Sequence, residues 1–84
     1  MSTCDVYKNG RKLGSGSIAN AATSLTGYTV VTGEPQPAVG KRIRIVATSS
    51  TDIGKSYMAV ITANNGAGTL TVVAYGGGSN PLAT

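Results

Sequence analysis

The chain has 84 residues, seven Lys and Arg against three Asp and Glu, and a formal net charge of +4. One cysteine excludes an intrachain disulfide, and no histidine is present. The three acids, Asp5, Glu34 and Asp52, lie far apart in sequence, so neither a metal-ligand cluster nor a cofactor motif can be read.

Low charge (12%) with moderate hydrophobicity marks a folded chain, since disorder usually needs high net charge and few apolar residues. A chain of this size buries only about 60% of the surface its unfolded form exposes. Without a bridge or a metal, extra stability is expected from neighbouring subunits or from docking on a larger body. No apolar run approaches the ~20 residues of a membrane span. MSTCDVYK has no apolar signal core. The expectation is synthesis in a cytoplasm, no membrane partner, and Cys4 as a small core hydrophobe.

In chain order, the first signal is Asn9-Gly10, a type I′ turn pair between two strand-like runs. It predicts a hairpin in which Lys8 faces Arg11, Tyr7 faces Lys12, Val6 faces Leu13 and Cys4 faces Ser15. Ile18–Thr23 suits one helical turn or a loop. Ser24–Thr32, rich in Thr, Tyr and Val, reads as a strand, and the prolines of Gly33–Pro37 interrupt pairing. Lys41–Ser49 reads as a strand with Ile43, Ile45 and Ala47 alternating against Arg42, Arg44, Val46 and Thr48. Ser49–Gly54 is a turn cluster, and Lys55–Ala63 the next strand.

Asn65-Gly66 predicts a second hairpin, pairing Ile61 with Leu70, Ala59 with Val72 and Tyr57 with Ala74 on one apolar face. A longer loop over Asn64–Gly68 with a bulge is the alternative. Apolar residues nowhere recur at helical spacing over three turns. The expected fold is all-β: a small antiparallel barrel or sandwich of five to six short strands, with one domain over 1–75 and a flexible Gly-rich tail over 76–84.

No histidine or pair of neighbouring carboxylates is available for general acid–base chemistry, and no Ser-x-x-Lys pair replaces them. Gly54-Lys55-Ser56 resembles the end of a phosphate-binding loop. The required earlier glycine is Ser49, however, and a strand rather than a helix is expected to follow. A non-enzymatic protein without cofactor is expected.

The candidate partner contacts are the cations Lys8, Arg11, Lys12, Lys41, Arg42 and Arg44, together with Tyr7 and Tyr75. Lysines on hairpins and edge strands also block aggregation, so a solubilising role stands beside a binding one. Single-strand nucleic-acid binders interleave cations with aromatic platforms. Along the sequence the four tyrosines, Tyr7, Tyr28, Tyr57 and Tyr75, do not follow that pattern.

The segment from Val39 to Val73 resembles small β-barrel modules of tailed-bacteriophage virion proteins. The likeness lies in the strand opened by Val39-Gly40, the turn ending Gly54-Lys55-x-Tyr57, and the closing strand Thr69-Leu70-Thr71-Val72. The whole chain is similar in composition to head decoration (cement) proteins. The resemblance implies a virion protein that binds the major capsid protein or other virion subunits, often as a homo-trimer, and strengthens the assembled head. A tail or fibre component is the next reading, and a small-barrel nucleic-acid binder the third. Strand addition by Ser2–Tyr7 or by the Gly76–Thr84 tail is the expected mode of contact with a neighbouring subunit.

Overall fold

The computed structural model describes residues 1–84, which form a closed six-stranded antiparallel barrel. The strands are β1 (Ser2–Lys8), β2 (Arg11–Ile18), β3 (Ser24–Val30), β4 (Arg42–Ala47), β5 (Ser56–Asn64) and β6 (Leu70–Ala74). Around the ring they run β1-β2-β3-β6-β5-β4, with β4 returning to β1. No helix is long and apolar enough to cross a membrane.

Alternation produces the core. Inward residues are Cys4 and Val6 on β1, Leu25 on β3, Ile43, Ile45 and Ala47 on β4, Ala59 and Ile61 on β5, and Leu70 and Val72 on β6. Their neighbours on each strand point to the outer face, so period-2 patterning becomes one packed interior. Cys4 is fully buried, and burial first, then the nearby Asp5 and Asp52 charges, push its thiol up to about 11. It is a packing residue, as expected.

The Asn9-Gly10 turn forms as predicted, with Asn9 at φ 53° and Gly10 at φ 78°. Lys8 pairs with Arg11 and Tyr7 with Lys12. A bulge then shifts the ladder: Val6 faces Gly14, not Leu13, and Cys4 faces Gly16, not Ser15. The extra residue lets Leu13 and Gly14 both turn inward. Backbone there must approach a bulky neighbour closely. A Cβ on Gly14 would lie 2.6 Å from the Tyr28 ring, and one on Gly16 would lie 2.8 Å from the Thr26 carbonyl oxygen.

The second hairpin also differs from its predicted register. Ala59 faces Ala74 and Ile61 faces Val72, with a bulge before Ala63. The loop is longer than a two-residue turn, as in the alternative, but it spans Asn65–Thr69, between Asn64 and its partner Leu70. Asn64 Oδ1 accepts from Gly66 N at 2.8 Å, and Asn65 Oδ1 accepts from Ala67 N at 2.7 Å and Thr69 N at 3.1 Å. These Asx contacts favour a wider loop over a two-residue turn. A shift of two residues keeps Ala59, Ile61, Leu70 and Val72 on their predicted inward face and moves Ala74 from Tyr57 to Ala59, while on the other side of β5 Tyr57 pairs with Ile45.

Two non-local seams close the barrel. β1 pairs with β4 from Cys4↔Ala47 to Tyr7↔Arg44. β3 meets β6 at Ser24↔Thr71 and Leu25↔Leu70, extended by Tyr28 N to Gly68 O at 2.9 Å. Between them the 31–41 connection crosses to the opposite side of the ring. Buried Pro37, whose carbonyl accepts from Asn64 Nδ2 at 2.9 Å, fixes its course.

Both predicted arms have other roles. Ser2–Tyr7 is a barrel strand with neighbours on both sides, so its edges are not free for strand addition. The Gly76–Thr84 segment, expected to be flexible, folds back at its far end. Leu82 enters the core, Asn80 Nδ2 donates to Ala19 O at 3.0 Å, and Asn20 N donates to Thr84 O at 2.8 Å. The anchor is Asp52, which is fully buried. Its carboxylate accepts from Ser2 Oγ at 2.6 Å, Ala83 N at 2.8 Å and Thr84 Oγ1 at 2.8 Å, and pairs with Lys55 Nζ at 3.1 Å. The Ser2 hydroxyl, then the Ala83 amide, Thr84 and Lys55, hold this carboxyl far below the usual carboxylate range.

A candidate binding groove on the β1-β4-β5 face

The outer face of β1, β4 and β5 carries one cross-strand row in which Tyr7 sits opposite Arg44 and Arg44 opposite Met58. A neighbouring row places Arg42 opposite Val60. Side chains two apart on β4 project together, so Arg42, Arg44 and Val46 form a line. Lys8 and Lys41 stand at one end of the groove, where β1 runs into the first hairpin and just before β4. The resulting open groove has a volume of about 840 Å³, and Val46, Met58 and Val60 provide its aliphatic lining.

Two contacts fix the arginines. The Arg42 guanidinium lies 4.5 Å from the centroid of the Tyr75 ring, within the range of a cation–π contact. Arg44 Nη1 donates to Ser56 Oγ at 3.1 Å. Tyr75 reaches this face because it follows Ala74, the partner of Ala59, and continues the outward side of β6 beyond Val73, where Arg42 extends over its ring.

Charge pairing separates the seven cations into two sets. Arg11 pairs with Glu34 at 3.5 Å, Lys12 with Asp5 at 3.3 Å, and Lys55 with Asp52 at 3.1 Å. Those three pairs use every acidic side chain in the protein. Lys8, Lys41, Arg42 and Arg44 have no carboxylate partner, and all four line the groove. The formal charge of +4 is therefore concentrated on one face.

Of the eight sequence-predicted contact residues, six converge here: Tyr7, Lys8, Lys41, Arg42, Arg44 and Tyr75. Arg11 and Lys12 do not; each is neutralised by an acid at the first hairpin. The expectation that tyrosines and cations are not interleaved holds along the sequence but fails in space, because the β1–β4 seam puts Tyr7 beside Arg44 and Arg42 extends over the Tyr75 ring. Tyr28 and Tyr57 belong to the barrel wall, and neither hydroxyl has a hydrogen-bond partner. Burial pushes Tyr57 up to about 12 and also raises Tyr28. The aliphatic lining was missed from sequence. Its signal was present in the outward set Val46, Met58 and Val60, and the β4–β5 pairing brings Met58 and Val60 beside Arg44 and Arg42.

A closed antiparallel barrel with a single basic, aromatic-edged groove is the class of molecule that these features define. No family model, curated protein or solved structure matches the chain.

Proposed function

We propose that this protein is a non-enzymatic virion subunit of a tailed bacteriophage, a capsid decoration protein that docks on the assembled head and stabilises it. The observation that carries the reading is the concentration of all uncompensated positive charge in one groove edged by tyrosine and lined by methionine and valine. Tyr, Arg and Met are the residue types enriched where proteins meet, and electrostatic complementarity guides such encounters. The likeness of Val39–Val73 to phage β-barrel modules supplies the setting. In that setting the partner is the major capsid protein or another virion subunit, and self-association into a trimer repeats the groove around a symmetry axis.

Mass spectrometry of purified particles tests this reading. High-copy recovery in intact virions is expected. Low copy shifts the assignment to a tail or fibre part, and absence from particles rejects both. A second reading, single-stranded nucleic-acid binding, is favoured by the Tyr7–Arg44 and Arg42–Tyr75 juxtapositions. It predicts affinity that falls steeply with salt as counterions are released.

A further inference from the structure

We infer that the groove takes an acidic polypeptide segment of the partner, in which carboxylates stand beside an aliphatic side chain. This rests on the reading of the groove as the docking face, and it adds the chemistry of what docks. The charge complement is direct: four cations without an internal carboxylate partner line one concavity. Arg44 is held by Ser56, and a guanidinium fork so positioned matches a carboxylate bidentately.

The lining decides between polypeptide and nucleic acid. A single strand of nucleic acid needs open aromatic planes for its bases. Here one face of the Tyr75 ring is already covered by Arg42, and Tyr7 is only partly exposed. Val46, Met58 and Val60 form a lane beside the cations, Val46 beyond Arg44 on β4 and Met58 and Val60 opposite Arg44 and Arg42 on β5, and each remains partly accessible. That lane offers nothing for a base to stack on, but it suits a leucine, isoleucine or methionine side chain. Methionine adapts its shape to such a guest. An acidic segment without an apolar residue leaves the lane wet, and an apolar segment without acids leaves four cations uncompensated.

The test is a titration of the isotope-labelled protein, followed by amide NMR, with the peptide acetyl-Glu-Glu-Leu-Glu-Glu-Leu-Glu-Glu-amide. Two further ligands are run beside it: the same peptide with both leucines replaced by serine, and an oligothymidylate of about twelve nucleotides. A groove this small is expected to bind a short segment in the millimolar range, so ligand is carried to about 5 mM. Saturable shifts at Tyr7, Arg44, Met58 and Val60 are expected. The serine peptide should bind roughly tenfold more weakly, which is the effect of losing one buried aliphatic side chain.

The paired substitution Arg42→Glu/Arg44→Glu should weaken the leucine peptide at least about tenfold. If its spectrum shows misfolding, Lys8→Glu/Lys41→Glu provides the same reading from one end of the groove. Absence of groove shifts overturns the inference. So does equal binding of the serine peptide, or tighter binding of the oligothymidylate. The particle experiment is independent. Recovery in virions without peptide binding rejects the segment chemistry alone, and peptide binding without recovery in virions rejects the particle setting alone.

Discussion

Gly14→Ala places a methyl group at the tightest backbone approach in the barrel wall. The new carbon falls 2.6 Å from the Tyr28 ring and closer still to the Thr29 carbonyl oxygen. Ordinary carbon–oxygen contacts begin at roughly 3.3 Å, so the overlap approaches an ångström. Neither neighbour yields easily. Thr29 pairs with Ser15 in the β2–β3 ladder, and Tyr28 is 5% exposed within the core. The strands must separate, which adds overpacking strain of about 1–3 kcal/mol to roughly 1 kcal/mol of weakened hydrogen bonding. Reduced chain entropy in the unfolded state returns about 0.4–1 kcal/mol. The net loss is about 1–3 kcal/mol, against a total stability of about 4–13 kcal/mol for a domain of this length. At 4–8 °C per kcal/mol, the thermal midpoint should fall by roughly 5–20 °C. Circular dichroism melts of wild type, Gly14→Ala and the double variant with Tyr28→Phe provide the measurement. The double variant should recover part of the loss, because one of the clashing atoms is the Tyr28 hydroxyl oxygen. A Gly14→Ala melt within about 2 °C of wild type would falsify this account of the β2–β3 wall.

Three other outcomes follow from buried groups. Asp52→Asn should lower the midpoint at neutral pH, because the amide cannot accept from Ser2, Ala83 and Thr84 and also pair with Lys55. Since the folded Asp52 carboxyl lies below its unfolded value of about 3.9, its contribution is present above that pH and lost as pH falls below it. The gap between melts of the wild type and Asp52→Asn should therefore narrow progressively as pH falls below about 4, and a gap that does not change with pH refutes the linkage. Cys4, raised to about 11 by burial, should stay unreactive toward a disulfide reagent at pH near 8 until the barrel unfolds. Rapid labelling of native protein contradicts its placement. Tyr28→Phe removes a buried hydroxyl without a partner, so stability should be unchanged or rise by up to about 1 kcal/mol; a loss above that means the hydroxyl is bonded.

Local signals carried the fold class, and non-local ones decided the site. Asn9-Gly10 and the alternation of Ile43, Ile45 and Ala47 act within a few residues, and both appear in the structure as read. The bulges do not announce themselves, because inserting one residue leaves composition and alternation on each side intact. The pairings of Val6 and Ile61 consequently differ from the simplest register. Gly14 and Gly16 carry no signal that the sequence alone makes legible, yet their lack of a side chain lets backbone approach Tyr28 and Thr26. The tail depends on Asp52, whose burial arises only when β1, the 3-10 turn Ser50–Asp52 and residues 83–84 converge. Groove assembly has the same origin. The cations are visible in the sequence, but which are neutralised depends on Glu34 reaching Arg11 and Asp5 reaching Lys12 across folded distances.

That division of the cations makes a prediction that separates binding from folding. Arg42 and Arg44 are two residues apart on β4, roughly 7 Å along a strand, and two unit charges at that spacing in water repel by about 0.6 kcal/mol. Lys8 and Lys41 add further repulsion at one end of the groove. A group retained only for folding should cost stability when neutralised; one retained for a partner should not. Arg44 contributes one exposed hydrogen bond to Ser56 and no ion pair, so Arg44→Gln loses little and relieves its share of the repulsion. Its midpoint should stay level or rise by a few degrees, corresponding to about 0–0.6 kcal/mol. Arg11→Gln is the contrasting case, since it breaks the pair with Glu34 and should lower stability by up to about 1 kcal/mol. If Arg44→Gln proves the more damaging of the two, Arg44 is a structural residue and the groove loses its claim as a docking face. If it is neutral or stabilising, the fold tolerates an electrostatic cost on one face, and an anionic partner is the physical reason for keeping it.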